Sequence, residues 1–341
     1  MTDASRAYRV AILGCGQVSA DHLVGWSRCR GATVVAACDP LLERAQFRAK
    51  SFGFTAAYDD PATMLAREKP DLVDVITPRE THADMVRLAL HYGVAGVLCE
   101  KPLCPTLAEA EALVADVARS RTRVMVNENW RYRQYYRRIG EWIAAGRLGT
   151  IVHYRQALWR ANMLPDAEGT CPALRRQPFM ARETRLLVAE SLIHDLDVAR
   201  SLLGELDVVA ARLGNACEAV VGETSALILL ENRDRVPVVV EGVLTAAGHH
   251  IRAGDRIEIA GTRCSVLLDD ALVRLYGTEA EEHRYDEAAE RQGCFDASIQ
   301  HFIDGMRDDV PFWTSPEDQL HTLKLVEDTY AVAGAVRRRP A

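Results

Sequence analysis

Five short apolar runs, each separated from the next by a helix-like stretch, occupy the first 126 residues and leave few folds open to them. The runs are 9–14, 33–38, 71–76, 96–99 and 122–126, and helical patterns fill 18–29, 41–52, 61–68, 79–92 and 107–118. Runs that are apolar nearly throughout are buried on both faces, which is the pattern of a parallel sheet covered by helices. Right-handed crossovers then wind such a sheet in both directions from its centre. The expected fold class is α/β, with a doubly wound parallel sheet at the N-terminus.

The pattern changes after Asn127. A helical stretch at 132–145 leads to longer, alternating runs at 150–159, 207–213, 225–231, 237–244, 255–259 and 264–268. Several follow one another without a helix between them, which predicts a large open sheet, antiparallel or mixed. Helices are expected at 187–203, 294–306 and 315–335, and an Arg- and Pro-rich segment, 160–185, reads as a long loop. A chain of 341 residues accommodates two domains. The expected boundaries are 1–126 for the first and 127–341 for the second, with the C-terminal helix free to pack back on the first.

A formal net charge of −7 argues against a nucleic-acid or anionic-membrane partner, both of which require a basic face. No apolar run approaches the roughly 18–20 residues that span a bilayer. The nine cysteines are scattered, odd in number and free of C-x-x-C pairs, which predicts reduced thiols, a cytoplasmic location and no structural zinc. The adjacent His249 and His250 would point to opposite faces of a strand, so no metal site is expected there.

Gly14-Cys15-Gly16-Gln17-Val18-Ser19 follows the first strand and opens a helix. The first glycine permits a tight turn, the second lets backbone approach a pyrophosphate, and the third position, here serine, requires only a small side chain. The helix start offers unpaired N–H groups to phosphates. Asp39, at the end of the second strand and 25 positions after Gly14, has the spacing of the acid that holds a ribose 2′-hydroxyl. The expected cofactor is therefore NAD rather than NADP, although Arg44 or Arg48 stands close enough in sequence to meet a 2′-phosphate. Gly14, Gly16, Gln17, Val18 and Asp39 form the expected cofactor site, and Thr77-Pro78 is placed to line its cleft. His82, read alone, defaults to a surface histidine in the first turn of a helix.

Glu100-Lys101-Pro102 closes the run 96–99. Open α/β sheets keep their ligands at such strand ends. The chain has 37 arginines and four lysines, so a lysine here places a side chain capable of proton chemistry at a ligand-binding edge. Glu68-Lys69-Pro70 repeats the tripeptide but precedes a strand, at the opposite end of the sheet. Position, and not the tripeptide, carries the argument.

With these residues together, the sequence resembles the Gfo/Idh/MocA family of nicotinamide-dependent oxidoreductases over nearly its whole length. The residues that carry the resemblance are the Gly14-Cys15-Gly16 turn, Thr77-Pro78 with His82, Glu100-Lys101-Pro102, the region of His194, and Phe312, Thr314 and Glu317-Asp318. The resemblance implies a Rossmann domain followed by an α/β domain whose open sheet builds a homodimer or homotetramer. It implies hydride transfer at a secondary alcohol or ketone of a sugar, sugar acid or cyclitol. It adds His82, Glu100 and Lys101 to the cofactor side. It matches Lys101 and His194 to the family's lysine and histidine, with His194 as general acid/base and Lys101 holding the substrate oxygen. Glu190, four residues before His194 and so its neighbour on a regular helix face, stands where the family usually has Asp; Leu192 replaces a small residue. Lys101, Asn127, Trp130, Arg131, Glu190, His194 and Asp197 form the expected substrate site. Two alternatives stay open: an enzyme that recycles tightly bound NAD through epimerisation or glycoside cleavage, and a non-catalytic dinucleotide-binding regulator.

Overall fold

A computed structural model of the chain describes residues 6–251, 255–334 and 337–338. It divides into two compact units. The first comprises residues 1–132 and 291–323, the second 133–290 and 324–341.

The first unit is built on six parallel strands: β1 (Tyr8–Leu13), β2 (Ala32–Cys38), β3 (Ala56–Tyr58), β4 (Leu72–Val75), β5 (Gly96–Glu100) and β6 (Arg123–Asn127). Their spatial order is β3-β2-β1-β4-β5-β6, which is the doubly wound Rossmann order with its reversal between β1 and β4. The intervening helices are α1 (Ser19–Arg28), α2 (Leu42–Phe52), α3 (Pro61–Glu68), α4 (His82–His91) and α5 (Leu107–Ala118). Asp60 caps α3 by accepting the Thr63 N–H at 2.6 Å, with Pro61 in the first turn where its missing N–H costs nothing. Thr106 and Glu109 form the corresponding cap on α5. Each such cap contributes about 1 kcal/mol.

The strand 56–58 is absent from the sequence expectation because Ala56-Ala57 carries no strand signal of its own. It forms by pairing with β2, Ala36 to Ala56 through Cys38 to Tyr58. The first unit also takes in part of helix α9 (Glu287–Asp308), whose Ile299, Phe302 and Ile303 are fully buried in the same core cluster as Val10, Ile12 and Trp26. The end of β6 is fastened to residue 314: Thr314 Oγ1 donates to Val126 O at 2.6 Å, and Val126 N–H donates to Thr314 O at 2.9 Å.

The second unit contains α6 (Gln134–Ala144), β7 (Ile151–Trp159), α7 (Pro172–Arg176), α8 (Ile193–Leu203), β8 (Leu206–Asn215), β9 (Ser225–Asn232), β10 (Pro237–Val243), β11 (Asp255–Gly261), β12 (Cys264–Asp269), β13 (Leu272–Gly277) and β14 (Glu281–Arg284). Helix α10 (Pro316–Ala333) begins in the first unit and ends in this one, and β15 (Arg337–Arg338) follows it. The sheet runs β14-β13-β12-β11-β7-β10-β9-β8-β15 and is mixed: β10 lies parallel to β7 and β15 parallel to β8. One face carries the core, with Tyr154, Leu158, Ile228, Leu230, Val238, Val240, Ile257 and Ile259 all at most 1% exposed. The two-residue alternation expected of these strands is what separates the faces.

Three local expectations change. Residues 160–185, expected as loop, contain α7 and a 3₁₀ turn (Pro178–Ala181). Helix α9 starts at Glu287 and not at 294, because its first turns are polar and have no apolar periodicity; buried Glu290 there accepts the Gln134 N–H at 2.6 Å. The hairpin β13–β14 lies beyond the last expected strand. Residue 335, where the last helix was expected to end, lies outside the described residues. Among the described residues, no helix is long and apolar enough to cross a membrane.

Candidate active site

The glycine loop at the end of β1 is held from three directions. Gly14 sits at φ +97°, and a Cβ there would lie 2.5 Å from Ile76 O, so only glycine fits. Its N–H donates to Cys38 O at 2.8 Å. The Cys15 N–H donates to Asp39 Oδ2 at 2.9 Å, while Asp39 Oδ1 accepts the Leu41 N–H at 3.0 Å. Ser19 does more than stay small: its hydroxyl donates to Gly16 O at 2.6 Å. Arg48 donates to that same carbonyl at 2.8 Å and to Ser19 Oγ at 2.9 Å. Arg48 thus braces the loop from the protein side.

Gly16 differs from Gly14. A Cβ built on it meets nothing within 4 Å, so the loop presents bare backbone to open space, with exposed Gln17 and half-buried Val18 leading into α1. Bare backbone at a helix start beside a strand-end carboxylate fits a dinucleotide pyrophosphate and ribose.

The neighbouring turns are tied to one another. His82 is 1% exposed, contrary to its reading as a surface residue. Its Nδ1 lies 2.8 Å from Pro102 O and its Nε2 2.9 Å from Thr77 O, so one imidazole bridges the turns after β4 and β5. Burial lowers its pKa, against the pull of those two carbonyls. Thr81 Oγ1 donates to Thr77 Oγ1 at 2.8 Å, and Pro78 is exposed.

Beneath Glu100 lies a buried polar network that the sequence reading missed. Glu100 Oε1 accepts from Asn127 Nδ2 at 2.8 Å and lies 2.9 Å from His22 Nε2. His22 Nδ1 lies 2.8 Å from Asp74 Oδ2, which also accepts Trp26 Nε1 at 2.7 Å. Ser298 Oγ donates to Asn127 Oδ1 at 2.8 Å. Burial pushes the Glu100 carboxyl up, but the His22 hydrogen bond and charge, with Lys101, outweigh it and hold the pKa below the ordinary value. One signal was available: Asp74 is a carboxylate in the middle of the apolar run 72–75, and such a residue needs a buried partner. Asn127 therefore lies inside this network. Lys101 is half-buried at the strand end. Arg131 donates to Trp313 O at 2.9 Å and pairs with Asp318 at 2.8 Å, and the adjacent Trp130 is half-buried in a 3₁₀ turn (Asn129–Tyr132).

In the second unit, His194 and Asp197 lie on α8, 9% and 0% exposed, and Asp197 Oδ1 is 3.7 Å from Arg200. The turn before α8, Val188–Leu192, is a π-helix. Glu190 therefore sits on a wider turn than the regular helix assumed from its four-residue spacing to His194. Gly242 on β10 makes room for this turn: a Cβ there would crowd Leu192 and Leu187 at 3.0–3.1 Å. Glu223, fully buried and also missed from sequence, caps the segment by accepting the Leu186 and Val188 N–H groups and the Tyr330 hydroxyl. In the Arg-rich segment, Arg185 is paired bidentately with Glu327 at 2.8 Å, and Arg175 pairs with Asp166 and Glu168. Among the described residues, no group of three or more His, Cys, Asp or Glu side chains is placed to hold a metal ion.

A Rossmann loop with a strand-end acid, followed by a mixed-sheet domain, defines a class of NAD-binding oxidoreductases. Residues 8–128 match the model of the oxidoreductase family with an NAD-binding Rossmann fold, and 136–267 match the GFO/IDH/MocA C-terminal domain. The chain belongs to the Gfo/Idh/MocA family of oxidoreductases. It is 32% identical to a D-apiose dehydrogenase of Paraburkholderia graminis, across 97% of this chain and 89% of that one. It is 26% identical to a D-apiose dehydrogenase of Rhizobium rhizogenes, across 95% and 94%. Among solved structures, an oxidoreductase from Agrobacterium radiobacter in complex with NAD+, L-tartaric acid and magnesium superposes with a TM-score of 0.88 at 25% identity, covering 96% of both chains. The chain is a dehydrogenase by class and NAD is its cofactor.

Proposed function

We propose that this protein oxidises a carbinol of a small, pentose-like sugar, with NAD as acceptor and the corresponding lactone or ketone as product. The observation that carries this reading is the end-to-end likeness to two D-apiose dehydrogenases from different bacteria. It is supported by a glycine loop whose exposed backbone and strand-end acid suit NAD. The bound nicotinamide supplies the hydride acceptor. The chain's own residues hold the sugar and handle its proton.

In this reading Lys101 donates a hydrogen bond to the reacting oxygen and stabilises the negative charge that develops there. His194 takes the hydroxyl proton as hydride leaves the carbon, Glu190 tunes that imidazole, and Asp197 contributes to the substrate site. Trp130 and Arg131 contribute to the substrate site from the same 3₁₀ turn, with Arg131 paired to Asp318 and bonded to Trp313 O. A second copy of the chain covers the outer face of the mixed sheet.

Lys101→Met and His194→Asn test the roles directly. Each is expected to lower kcat by about 100-fold or more, the scale of a lost acid–base group. The NAD dissociation constant should stay within about threefold of the parent, because neither residue builds the glycine loop. A Lys101→Met enzyme with parental turnover would remove the lysine from the mechanism.

A further inference from the structure

The network under the Glu100-Lys101 turn holds a charge that the chemistry above does not use. His22 is fully buried, with a carboxylate oxygen at each ring nitrogen: Asp74 Oδ2 at 2.8 Å from Nδ1 and Glu100 Oε1 at 2.9 Å from Nε2. An ionised carboxylate only accepts hydrogen bonds. Each of these two oxygens already receives another donor, Trp26 Nε1 on Asp74 and Asn127 Nδ2 on Glu100, and the Asn127 amide is oriented by Ser298. Each ring nitrogen thus faces a carboxylate oxygen that also accepts another donor, an arrangement that suits an imidazolium donating from both nitrogens; Asn127 Nδ2 also lies 3.3 Å from Nε2. The groups facing His22 are Asp74 from β4, Glu100 from β5, Asn127 from β6, Trp26 on its own helix and the Phe295 ring of α9 at 5.2 Å. Burial favours the neutral ring, but the charge and hydrogen bonds of the two carboxylates prevail and bring the His22 pKa to about 10.

We propose that His22 is a charged positioning residue for the active-site lysine: its imidazolium keeps the half-buried Glu100 carboxylate ionised and fixed, and Glu100 fixes the turn that presents Lys101. The proposal rests on the role given to Lys101 above. Carboxylate, imidazolium and carboxylate sum to one negative charge. Loss of the imidazolium leaves the fully buried Asp74 and the half-buried Glu100 as two carboxylates without a counter-charge between them, which favours proton uptake. On Glu100 that uptake removes the anchor next to the lysine.

The ionisation is read first, on the intact chain with ¹⁵N-labelled histidine. The expected result is a His22 ring protonated at both nitrogens from pH 6 to pH 9; a neutral tautomer in that range would overturn the proposal. Turnover against pH is then measured for the parent, His22→Gln, and His22→Gln/Asp74→Asn, with thermal melting and NAD affinity alongside. In His22→Gln, burial is left to raise the Glu100 pKa. The acid limb of kcat should move up by about one pH unit or more, and kcat at neutral pH should fall about 10- to 100-fold, as for a misplaced catalytic group. The double variant restores the single negative charge through a neutral chain of amides and should move the acid limb back towards the parent's.

A folded His22→Gln enzyme with an unmoved acid limb would contradict the proposal, as would a double variant whose limb stays where the single variant put it. If His22→Gln fails to fold, the nitrogen spectrum of the parent decides. The Lys101 reading fails separately: parental turnover in Lys101→Met removes the lysine whatever the state of His22. Abolished turnover there, combined with an unmoved limb in His22→Gln, removes only the positioning role.

Discussion

Gly14 and Gly16 stand two residues apart and do different work. Gly14 is required by the fold, with a left-handed backbone pressed against Ile76 O; Gly16 faces open space, with nothing beyond its own chain neighbours within 4 Å of where its Cβ would be. Gly14→Ala should therefore destabilise the domain by at least the ~1–2 kcal/mol of a left-handed alanine, and lower its melting temperature. Gly16→Ala should melt as the parent does but bind NAD about tenfold or more weakly in a fluorescence titration. A Gly16→Ala protein with parental NAD affinity would show that the pyrophosphate does not lie against this loop. Both glycines and Asp39 were legible in the sequence because a turn, a helix start and a strand-end acid occur there at fixed spacing. His22 was not legible: a histidine inside an amphipathic helix has no local mark, and its partners Asp74 and Glu100 are 52 and 78 residues away. Ser19 was read only for its size; its bond to Arg48 depends on where α2 lies.

At the scale of elements, the expected strands were placed to within a residue or two, while the short Ala56–Tyr58 and the hairpin β13–β14 were missed. Ala56–Tyr58 becomes a strand by pairing alone, and the π turn before α8 has no sequence period of its own because it depends on the room left by Gly242. The mixed sheet leaves its outer face open. Register aligns Leu229 with Val239 and Val239 with Arg155, and Leu227 with Glu241. Leu227 and Val209 are each 50% exposed there. Beside this apolar patch Arg155 pairs with Glu241 and Glu258, a mixed-charge row that can face a copy of itself. Light scattering should give a dimer or tetramer mass, and Leu227→Arg/Leu229→Arg should shift it towards monomer. A parent protein that is monomeric at micromolar concentration would exclude this use of the sheet.

For the whole molecule, the two-domain α/β plan was legible from the change of pattern after residue 126, and the oxidoreductase class came from the family resemblance carried by residues such as the Gly14-Cys15-Gly16 turn and Glu100-Lys101-Pro102. The sequence left the C-terminal helix free to pack back on the first domain, but did not extend that to residues 291–314, whose place in the first unit depends on buried contacts of Ile299, Phe302 and Thr314. The most direct measurement is NADH formation at 340 nm with D-apiose and other pentoses set against inositols, hexosides and sugar acids. The account predicts NAD reduction with a pentose-like sugar, and loss of that activity in Lys101→Met. Turnover confined to inositols or hexosides, or no NADH from any sugar by a protein that binds NAD tightly, would contradict it.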